Sequence, residues 1–138
     1  MKKKIKKMIK GKKIIGIGKW RVVHDLDNRH VIKVAKSKNG RSSNKKEVII
    51  YKSAPSRIKK YLGKVITHGF GYRFLIMKKY KRKFPRSKKY KRKLFALESR
   101  FIRKGIIPRD LNSNNLRLKN NGRIVIIDYG NFKKHRKK

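Results

Sequence analysis

The chain has 138 residues, in which 46 lysines and arginines are opposed by only six acidic residues, giving a formal net charge of +40 at pH 7. This length favours one small domain, and the apolar fraction of 37% is sufficient for one modest core. The chain has no cysteine and no apolar run near the roughly 18 residues of a membrane span, so we expect no disulfide, thiolate metal site, cysteine nucleophile or transmembrane segment.

The first part of the sequence predicts a lysine-rich arm followed by a β-hairpin. Lysine dominates residues 1–13, which we expect to form a basic N-terminal arm that is frayed or weakly helical. β-Branched residues then flank a polar turn of Asp and Asn, a pattern typical of a hairpin with strands near residues 20–23 and 30–34. Two glycines, Gly16 and Gly18, precede the first of these strands.

The next segment contains loop, helix and strand signals in turn. An Asn-Gly pair predicts a loop over residues 38–44. An apolar stretch that begins at Glu47 indicates a helix, which Pro55 ends. Two short strands are predicted over residues 64–68 and 72–77, with a glycine-containing connection between them.

Residues 78–84 and 88–94 contain nearly the same basic heptapeptide, KKYKRKF and KKYKRKL. Cationic side chains can follow a phosphate backbone while aromatic rings stack on bases, so the repeat is a candidate nucleic-acid surface. The candidate contact residues are Lys79, Tyr80, Arg82, Lys89, Tyr90 and Arg92. The charge of +40 favours nucleic acid as the partner, with an anionic membrane second and a solvated basic surface without any partner as a third explanation.

The last third of the sequence predicts one helix and a second hairpin. Apolar residues at helical spacing indicate a helix over residues 94–104, which Gly105 ends. An Asn-rich loop over residues 110–115 follows. A hairpin is then predicted over residues 116–127, with an Asn-Asn-Gly turn at its centre. Asp128 comes directly after its second strand.

Because only six acidic residues occur, the position of each carboxylate is informative. Asp110 opens the Asn-rich loop, Asn115 follows five residues later, and the hairpin should return Asp128 to the same loop. Carboxylate and amide oxygens suit Mg²⁺, which keeps several waters and takes further ligands from substrate phosphates. Lys33 on a strand is a candidate partner for those phosphates, and Glu47 is placed to hold that lysine.

Taken in chain order, these residues resemble the protein-kinase-like fold, in its small atypical, bacterial and phage form. The matching segments are Gly16-x-Gly18-x-x-Arg21-x-Val23, Val31-Ile32-Lys33, Glu47, Pro108-Arg109-Asp110-Leu111-Asn112-Ser113-Asn114-Asn115 and Asp128-Tyr129-Gly130. The resemblance implies an α+β fold, with a small antiparallel sheet and one helix in an N-lobe over residues 14–77. A shortened C-lobe with catalytic hairpins would occupy residues 78–132, before a basic tail over residues 133–138.

The resemblance also implies ATP and Mg²⁺ as cofactors and assigns a role to each residue. Lys33 would contact the α- and β-phosphates and pair with Glu47, while Asp110 would orient the attacking hydroxyl. Asn115 and Asp128 would bind the Mg²⁺ ion. The remaining ATP contacts would be Gly16, Gly18, Val23, Val31 and Met77.

We therefore expect an ATP- and Mg²⁺-dependent serine/threonine protein kinase that a basic surface recruits to nucleic acid or a ribonucleoprotein in the cytoplasm. Three departures from the family pattern leave a second interpretation open. Pro108 replaces the usual histidine, Asn112 replaces the usual lysine, and only eight residues follow Gly130, where a peptide-docking platform is expected. The alternative is a catalytically inactive pseudokinase that acts as a nucleic-acid-binding protein.

Overall fold

The structure, a computed structural model, describes residues 2–134; position 1 and positions 135–138, which include most of the predicted basic tail, lie outside the described residues. The described helices are α1 (Lys2–Ile9), α2 (Lys38–Ser53), α3 (Ser56–Lys59) and α4 (Lys88–Arg103), with a 3₁₀ helix over Ser113–Asn115. The described strands are β1 (Ile14–Ile17), β2 (Arg21–Asp25), β3 (His30–Ala35), β4 (Val65–Gly69), β5 (Phe74–Lys78), β6 (Arg82–Lys83), β7 (Ile106–Ile107), β8 (Leu116–Leu118), β9 (Ile124–Ile126) and β10 (Lys133–Lys134). No helix among residues 2–134 is long and apolar enough to cross a lipid bilayer.

The chain divides into two compact units. The first contains the described residues up to Val48 together with Lys64–Lys79. The second contains Ile49–Gly63 and the described residues from Tyr80 onward. A small antiparallel sheet combined with helices confirms the predicted α+β class.

A five-stranded antiparallel sheet in the order β1-β2-β3-β5-β4 forms the first unit. Side chains alternate along β3, so that Ile32 and Val34 point to one face of the sheet while Val31 and Lys33 point to the other. The predicted hairpin is present as β2 and β3, and Val23 lies opposite Lys33. One face is therefore apolar, and the other contains a cation.

Helix α1 covers the apolar face of this sheet. Its residues Ile5, Met8 and Ile9 share one side of the helix and pack on Ile32 and Phe74. Lys3, Lys4, Lys6 and Lys7 of α1 remain exposed, and the segment predicted as a basic arm contains a helix docked on the sheet. Burial of one isoleucine side chain such as Ile5 contributes roughly 1.5–3 kcal/mol, which offsets part of the conformational entropy lost when this lysine-rich segment becomes ordered.

The predicted loop over residues 38–44 is wrong, because α2 already begins at Lys38. An Asn-Gly pair ordinarily indicates a turn, yet here the glycine allows the helix to approach the sheet. A Cβ atom at Gly40 would lie 2.3 Å from the carbonyl oxygen of Trp20 and 3.0 Å from the Cα of Ala35. Gly40 is thus required by close packing. The helix ends before Pro55, as predicted.

Helix α4 begins at Lys88, earlier than predicted, and so includes the second copy of the basic heptapeptide. Ser87 supplies the reason, because its hydroxyl accepts a hydrogen bond from the backbone N–H of Tyr90 at 3.2 Å and caps the helix. The helix ends next to Gly105, as predicted, and the φ of +80° at that position suits glycine.

The hairpin β8–β9 lies beside β6 in a three-stranded sheet of the second unit. It forms where the sequence predicts it, with Leu116 opposite Ile126. Tyr129 and Phe132 are fully buried after it, and the Tyr129 hydroxyl donates to the carbonyl oxygen of Gly63 at 2.9 Å. These contacts fix the chain segment that follows β9.

Candidate functional site

Four polar side chains of the first unit form a buried polar cluster: Arg21 on β2, Lys33 on β3, and Asn44 and Glu47 on α2. The Lys33 Nζ donates to Glu47 Oε1 at 2.8 Å. The Arg21 guanidinium donates to both carboxylate oxygens of Glu47 at 3.1 Å and to Asn44 Oδ1 at 3.0 Å. Glu47 is fully buried and Lys33 is only 4% exposed, so the ion pair is held in one geometry.

The backbone positions explain why these four side chains meet. The pairing of β2 with β3 places Arg21 and Lys33 on the same face of the sheet. Asn44 and Glu47 are three residues apart on α2 and therefore share one side of the helix. The Asn44 Nδ2 also donates to the carbonyl oxygen of Tyr72 at 2.9 Å, which links α2 to the connection between β4 and β5.

The carboxylate of Glu47 remains ionised in this cluster. Complete burial by itself raises the pKa, but the charges of Arg21 and Lys33 and the hydrogen bonds from both outweigh burial and lower the pKa from 4.5 to about 2. Two cations thus share one anion, and the three charged groups sum to +1 (2 − 1). This excess of positive charge favours a further anion such as a phosphate near Lys33.

The predicted ATP contacts on the strands share the sheet face of Lys33. Val23 lies opposite Lys33, and Val31 lies opposite Met77, so the alternation of side chains places all four on one side. Val31 and Met77 are buried, whereas Val23 is half-buried. Gly16 on β1 lies opposite Val23 and extends the same face.

Gly16 and Gly18 are not required by the packing of the protein itself. A Cβ atom at Gly16 would lie 3.6 Å from the Cβ of Val23, and one at Gly18 would lie 3.5 Å from the carbonyl oxygen of Arg21. Both are ordinary van der Waals distances, and neither glycine belongs to those with a positive φ. Gly18 is held in the turn by its N–H, which donates to that same carbonyl oxygen at 2.8 Å.

A second polar group, the loop site, lies in the second unit and consists of Asp110, Asn115, Asp128 and Asn131. The Asn115 Nδ2 donates to the backbone carbonyl oxygen of Asp110 at 2.8 Å, and the Asn131 Nδ2 donates to the Asp110 carboxylate. Asp110 is exposed and has a φ of +54°, a left-handed conformation that aspartate adopts more readily than most residues. Asn131 therefore holds the exposed carboxylate, and Asn115 holds the backbone of the same residue.

Asn115 and Asp128 are neighbours because the hairpin folds back on itself. The Ile127 N–H donates to the Asn115 carbonyl oxygen at 2.9 Å, and Asp128 follows directly. Since the amide nitrogen of Asn115 is bound to Asp110, its side-chain oxygen is the atom with which it could bind a cation. One amide and one carboxylate fit Mg²⁺ when phosphates and water complete the coordination. Among residues 2–134, no group of three or more His, Asp or Glu could hold a metal.

The structure thus brings the predicted site residues together in two sets. Lys33 and Glu47 meet in the first unit, and Asp110, Asn115 and Asp128 lie in the second. Lys33 lies inside β3 and Glu47 lies well inside α2, because that helix begins earlier than expected.

Sequence reasoning included Arg21 only as part of the glycine motif and overlooked Asn44 and Asn131. The spacing of Asn44 and Glu47 was a usable signal, because two polar residues three apart on a helix share one side. Arg21 and Asn131 gave no such signal, because each meets its partner at a separation of 26 and 21 residues respectively.

The side chains of the predicted nucleic-acid contacts differ in their bonds to other groups of the protein and in their exposure. Lys79 pairs with Asp25 in the first unit. In the second unit, Arg82 donates to two backbone carbonyl oxygens of the β8–β9 turn, each at 3.2 Å. Lys89 and Arg92 are exposed and point away from the core. Arg82, Lys89 and Arg92 are therefore the exposed cations of this set, and Lys89 and Arg92 lie at the beginning of α4.

The two tyrosines of the repeat are half-buried. The Tyr90 hydroxyl donates to the carbonyl oxygen of Gly122 at 3.0 Å, and its ring meets Phe84 edge-on with ring centres 5.7 Å apart. The ammonium group of Lys93 lies 5.0 Å from the centre of the same ring. Tyr90 therefore packs within the second unit, and base stacking would have to displace these contacts.

Comparisons with known proteins give one informative result, and it concerns the fold. No protein-family profile and no curated protein sequence matches this chain. A solved structure, the co-crystal structure of WbdD and the kinase inhibitor LY294002, matches with a TM-score of 0.59 and 12% sequence identity, over 86% of this chain and 32% of that chain. The chain spans about a third of the length of that protein. At this identity the likeness concerns the fold alone, and the protein has a kinase-like fold.

Proposed function

We propose that the protein is an ATP- and Mg²⁺-dependent phosphotransferase that acts as a serine/threonine protein kinase. The main support is the buried ion pair of Lys33 and Glu47 in a chain with a kinase-like fold. Replacing a buried ion pair by apolar residues of similar volume is often neutral or stabilising, so such a pair is weak evidence for a role in stability. A ligand that needs the Lys33 ammonium explains it better.

In this proposal, the Lys33 ammonium binds the α- and β-phosphates of ATP. Glu47 fixes the position of the ammonium, and Arg21 helps to keep the carboxylate ionised at neutral pH, consistent with its pKa of about 2. The excess positive charge of the buried polar cluster compensates part of the phosphate charge. The cluster thus supplies electrostatic positioning, which phosphoryl transfer needs more than covalent catalysis.

The sheet face around Lys33 would receive the rest of the nucleotide. Val31 and Met77 are apolar and pair with each other, and Val23 lies beside them, so the adenine ring would contact aliphatic side chains. Gly16 and Gly18 would allow the backbone to approach the phosphates closely. This explanation gains support because packing within the protein does not account for either glycine.

The loop site would perform the transfer step. The Asp110 carboxylate accepts a hydrogen bond from the substrate hydroxyl and takes its proton as the oxygen bonds to the γ-phosphorus; the bond to the β–γ bridging oxygen breaks, and ADP leaves. Asn131 holds the carboxylate in position. Asn115 and Asp128 would hold Mg²⁺, which when bound neutralises phosphate charge.

Transfer of labelled γ-phosphate from Mg-ATP to the protein itself and to dephosphorylated casein tests this proposal. We expect Asp110→Asn to lower the rate by about 10²–10⁴-fold, the usual contribution of a general base. Asp27→Asn is a matched control, because Asp27 is also an exposed aspartate with a positive φ, +61° against +54° at Asp110. Normal transfer in Asp110→Asn would exclude Asp110 from the reaction, and an equal loss in the control would show that the effect is not specific to Asp110.

The formal charge of +40 supports a second function, the binding of nucleic acid or a ribonucleoprotein. This binding would bring the phosphotransferase to its substrates in the cytoplasm, or would be the sole activity of a catalytically inactive pseudokinase. Autophosphorylation with Mg-ATP separates the two cases, and thermal unfolding with ATP, with and without Mg²⁺, tests nucleotide binding. Autophosphorylation together with a Tm increase that requires Mg²⁺ supports phosphotransfer, whereas no autophosphorylation supports the pseudokinase.

A further inference from the structure

The second unit contains a basic cleft that the proposed phosphotransfer does not use. It has a volume of about 390 Å³ and lies between α4, the turn of the β8–β9 hairpin and Tyr61. The lining residues that matter are Tyr61, Lys93, Leu97, Arg100, Asn121 and Arg123. Ligand pockets usually range over about 300–1,000 Å³, so the basic cleft is sized for a small group such as one nucleotide.

Three cations line the basic cleft, and none of its lining residues is acidic. Aromatic side chains organise these cations. The Arg100 Nη1 donates to the Tyr61 hydroxyl at 3.1 Å, and the Arg123 guanidinium lies 5.9 Å from the centre of the Tyr61 ring. Lys93 lies over the ring of Tyr90. Aromatic rings orient cations without neutralising their charge, so the basic cleft favours an anionic ligand.

Helix α4 extends this positive charge beyond the basic cleft. Lys89, Lys93, Leu97 and Arg100 are spaced by four, four and three residues and therefore follow one side of the helix. The first turn of α4 contains lysines and no acidic residue. Cations at a helix N-terminus are unfavourable by about 0.3–1 kcal/mol each, because the helix dipole is positive at that end. A polyanion bound along this row would remove that repulsion.

We propose that the basic cleft, together with Lys89, binds the sugar–phosphate backbone of single-stranded nucleic acid. This inference refines the nucleic-acid part of the proposed function and does not depend on phosphotransfer. A chain of phosphodiesters matches a row of cations that continues beyond the cleft. A single phosphorylated side chain would fill the cleft alone and leave the row without a partner.

The aromatic rings of this region indicate contacts to phosphates, not to bases. The ring of Tyr61 already lies against Arg123 and is 5.5 Å from the ammonium of Lys60, and the ring of Tyr90 lies against Lys93. Ring faces that contact cations are not open stacking platforms. The affinity should therefore depend steeply on salt concentration and hardly on base sequence.

Fluorescence anisotropy of the full chain with labelled oligo-U, oligo-dT and oligo-dA over a salt series tests the proposal. The cleft variant combines Lys93→Gln, Arg100→Gln and Arg123→Gln. We expect it to bind at least tenfold more weakly than the wild type. The slope of log affinity against log salt should fall by about 2, because each lost phosphate contact on a single strand contributes about 0.7.

A matched control variant removes the same charge from exposed positions of α2. It combines Lys38→Gln, Lys45→Gln and Lys46→Gln. We expect it to lose less than about threefold in affinity, since only the general field of the protein is weakened. Equal losses in the cleft and control variants would overturn the proposal, because binding would then reflect total charge alone.

Further outcomes distinguish the ligand. Similar affinities for oligo-dT and oligo-dA support backbone contacts, and tighter binding of oligo-U identifies RNA as the preferred source of the same phosphodiesters. A large preference between the two DNA oligomers would overturn the backbone assignment. A phosphoserine peptide that binds more tightly than an oligonucleotide of equal charge, and only with an intact cleft, would overturn the nucleic-acid assignment.

Two measurements separate this proposal from effects on folding and from the phosphotransferase. Arg100→Lys keeps the charge but loses the planar guanidinium, and we expect a loss of a few-fold in affinity with an unchanged circular dichroism spectrum. The cleft variant should transfer phosphate to casein at the wild-type rate, and Asp110→Asn should bind oligonucleotide like the wild type. Either proposal can therefore fail while the other stands.

Discussion

The buried polar cluster and the loop site are held in place by different means. In the cluster, Glu47 is fully enclosed and accepts charged hydrogen bonds from Arg21 and Lys33. In the loop site, Asp110 is exposed, and the neutral amides of Asn115 and Asn131 hold it. Breaking a buried charged network is strongly destabilising, whereas changes at exposed positions usually are not. Substitutions in the cluster should therefore affect folding, and substitutions in the loop site should affect transfer.

The largest effect on stability is expected for Glu47→Ala. This change leaves the cations of Arg21 and Lys33 buried without the carboxylate that pairs with both. Removal of one partner from a buried ion pair lowers the free energy of unfolding by about 3–5 kcal/mol. Urea unfolding followed by circular dichroism measures the loss as a lower midpoint at an unchanged slope.

Glu98→Ala is the matched control for that substitution. Glu98 is also a helical glutamate, is half-buried on α4, and its removal changes the net charge by the same amount. We expect this variant to change the free energy of unfolding by no more than about 1 kcal/mol. If both variants lose the same free energy of unfolding, the buried ion pairs of Glu47 do not stabilise the fold more than an ordinary helical glutamate does.

Acid should weaken the buried polar cluster without any substitution. The pKa of Glu47 is about 2 in the folded protein, against an ordinary value of 4.5. The folded state therefore binds this proton less readily than the unfolded state, so the ion pairs stabilise the fold above pH 4.5 and that stability is lost as the pH falls from 4.5 towards 2. Urea midpoints at a series of pH values measure this loss.

Glu47→Gln supplies the comparison for the acid experiment. The variant has no carboxylate to titrate at this position, so its stability should change less than that of the wild type between pH 4.5 and 2. Parallel acid profiles for the two proteins would show that carboxylates outside the cluster cause the acid sensitivity.

The sequence predicted the elements whose signals are local. The β-branched residues of β2 and β3, the glycine after α4 and the Asn-Gly turn of the β8–β9 hairpin all produced the expected structures. Prediction from the sequence failed where packing against residues distant in the chain determines the local structure. The apolar side of α1 packs a lysine-rich segment against the sheet. Position 40 has room only for glycine, because α2 lies against the same sheet.

The duplicated heptapeptide shows the same limit within one short sequence. The copy over residues 78–84 contains the strand β6, whereas the copy over residues 88–94 forms the first turns of α4. The difference comes from their neighbours, because Pro85 follows the first copy and Ser87 caps the second. Sequence patterns of this length do not by themselves determine structure.

The candidate site was predictable to a similar extent. Lys33, Glu47 and Asp110 could be named because their order and spacing resemble those of a known family. Arg21 and Asn131 could not be assigned roles, because their hydrogen bonds join segments that are far apart in the chain. The contacts that hold the candidate site together therefore depend on the tertiary structure more than the identity of its predicted residues does.

The smallest effect, and the sharpest test of the loop site, is expected for Asn131→Ala. The substitution removes the amide that donates to the Asp110 carboxylate, while both side chains lie outside the core. The free energy of unfolding should change by less than about 0.5 kcal/mol. Because Asn131 only positions Asp110, the kcat of phosphate transfer should fall about tenfold, less than the roughly 10²-fold that a 1 Å misplacement can cause.

The split between kcat and KM decides whether Asn131 acts through Asp110. A positioning residue of the transfer step should lower kcat and leave the KM for ATP unchanged. Asn114→Ala, which removes an exposed asparagine side chain from the same loop, should alter neither constant. A raised KM for ATP with a normal kcat would instead mean that Asn131 supports nucleotide binding. The Asn131 amide would then not position the Asp110 carboxylate for the transfer step.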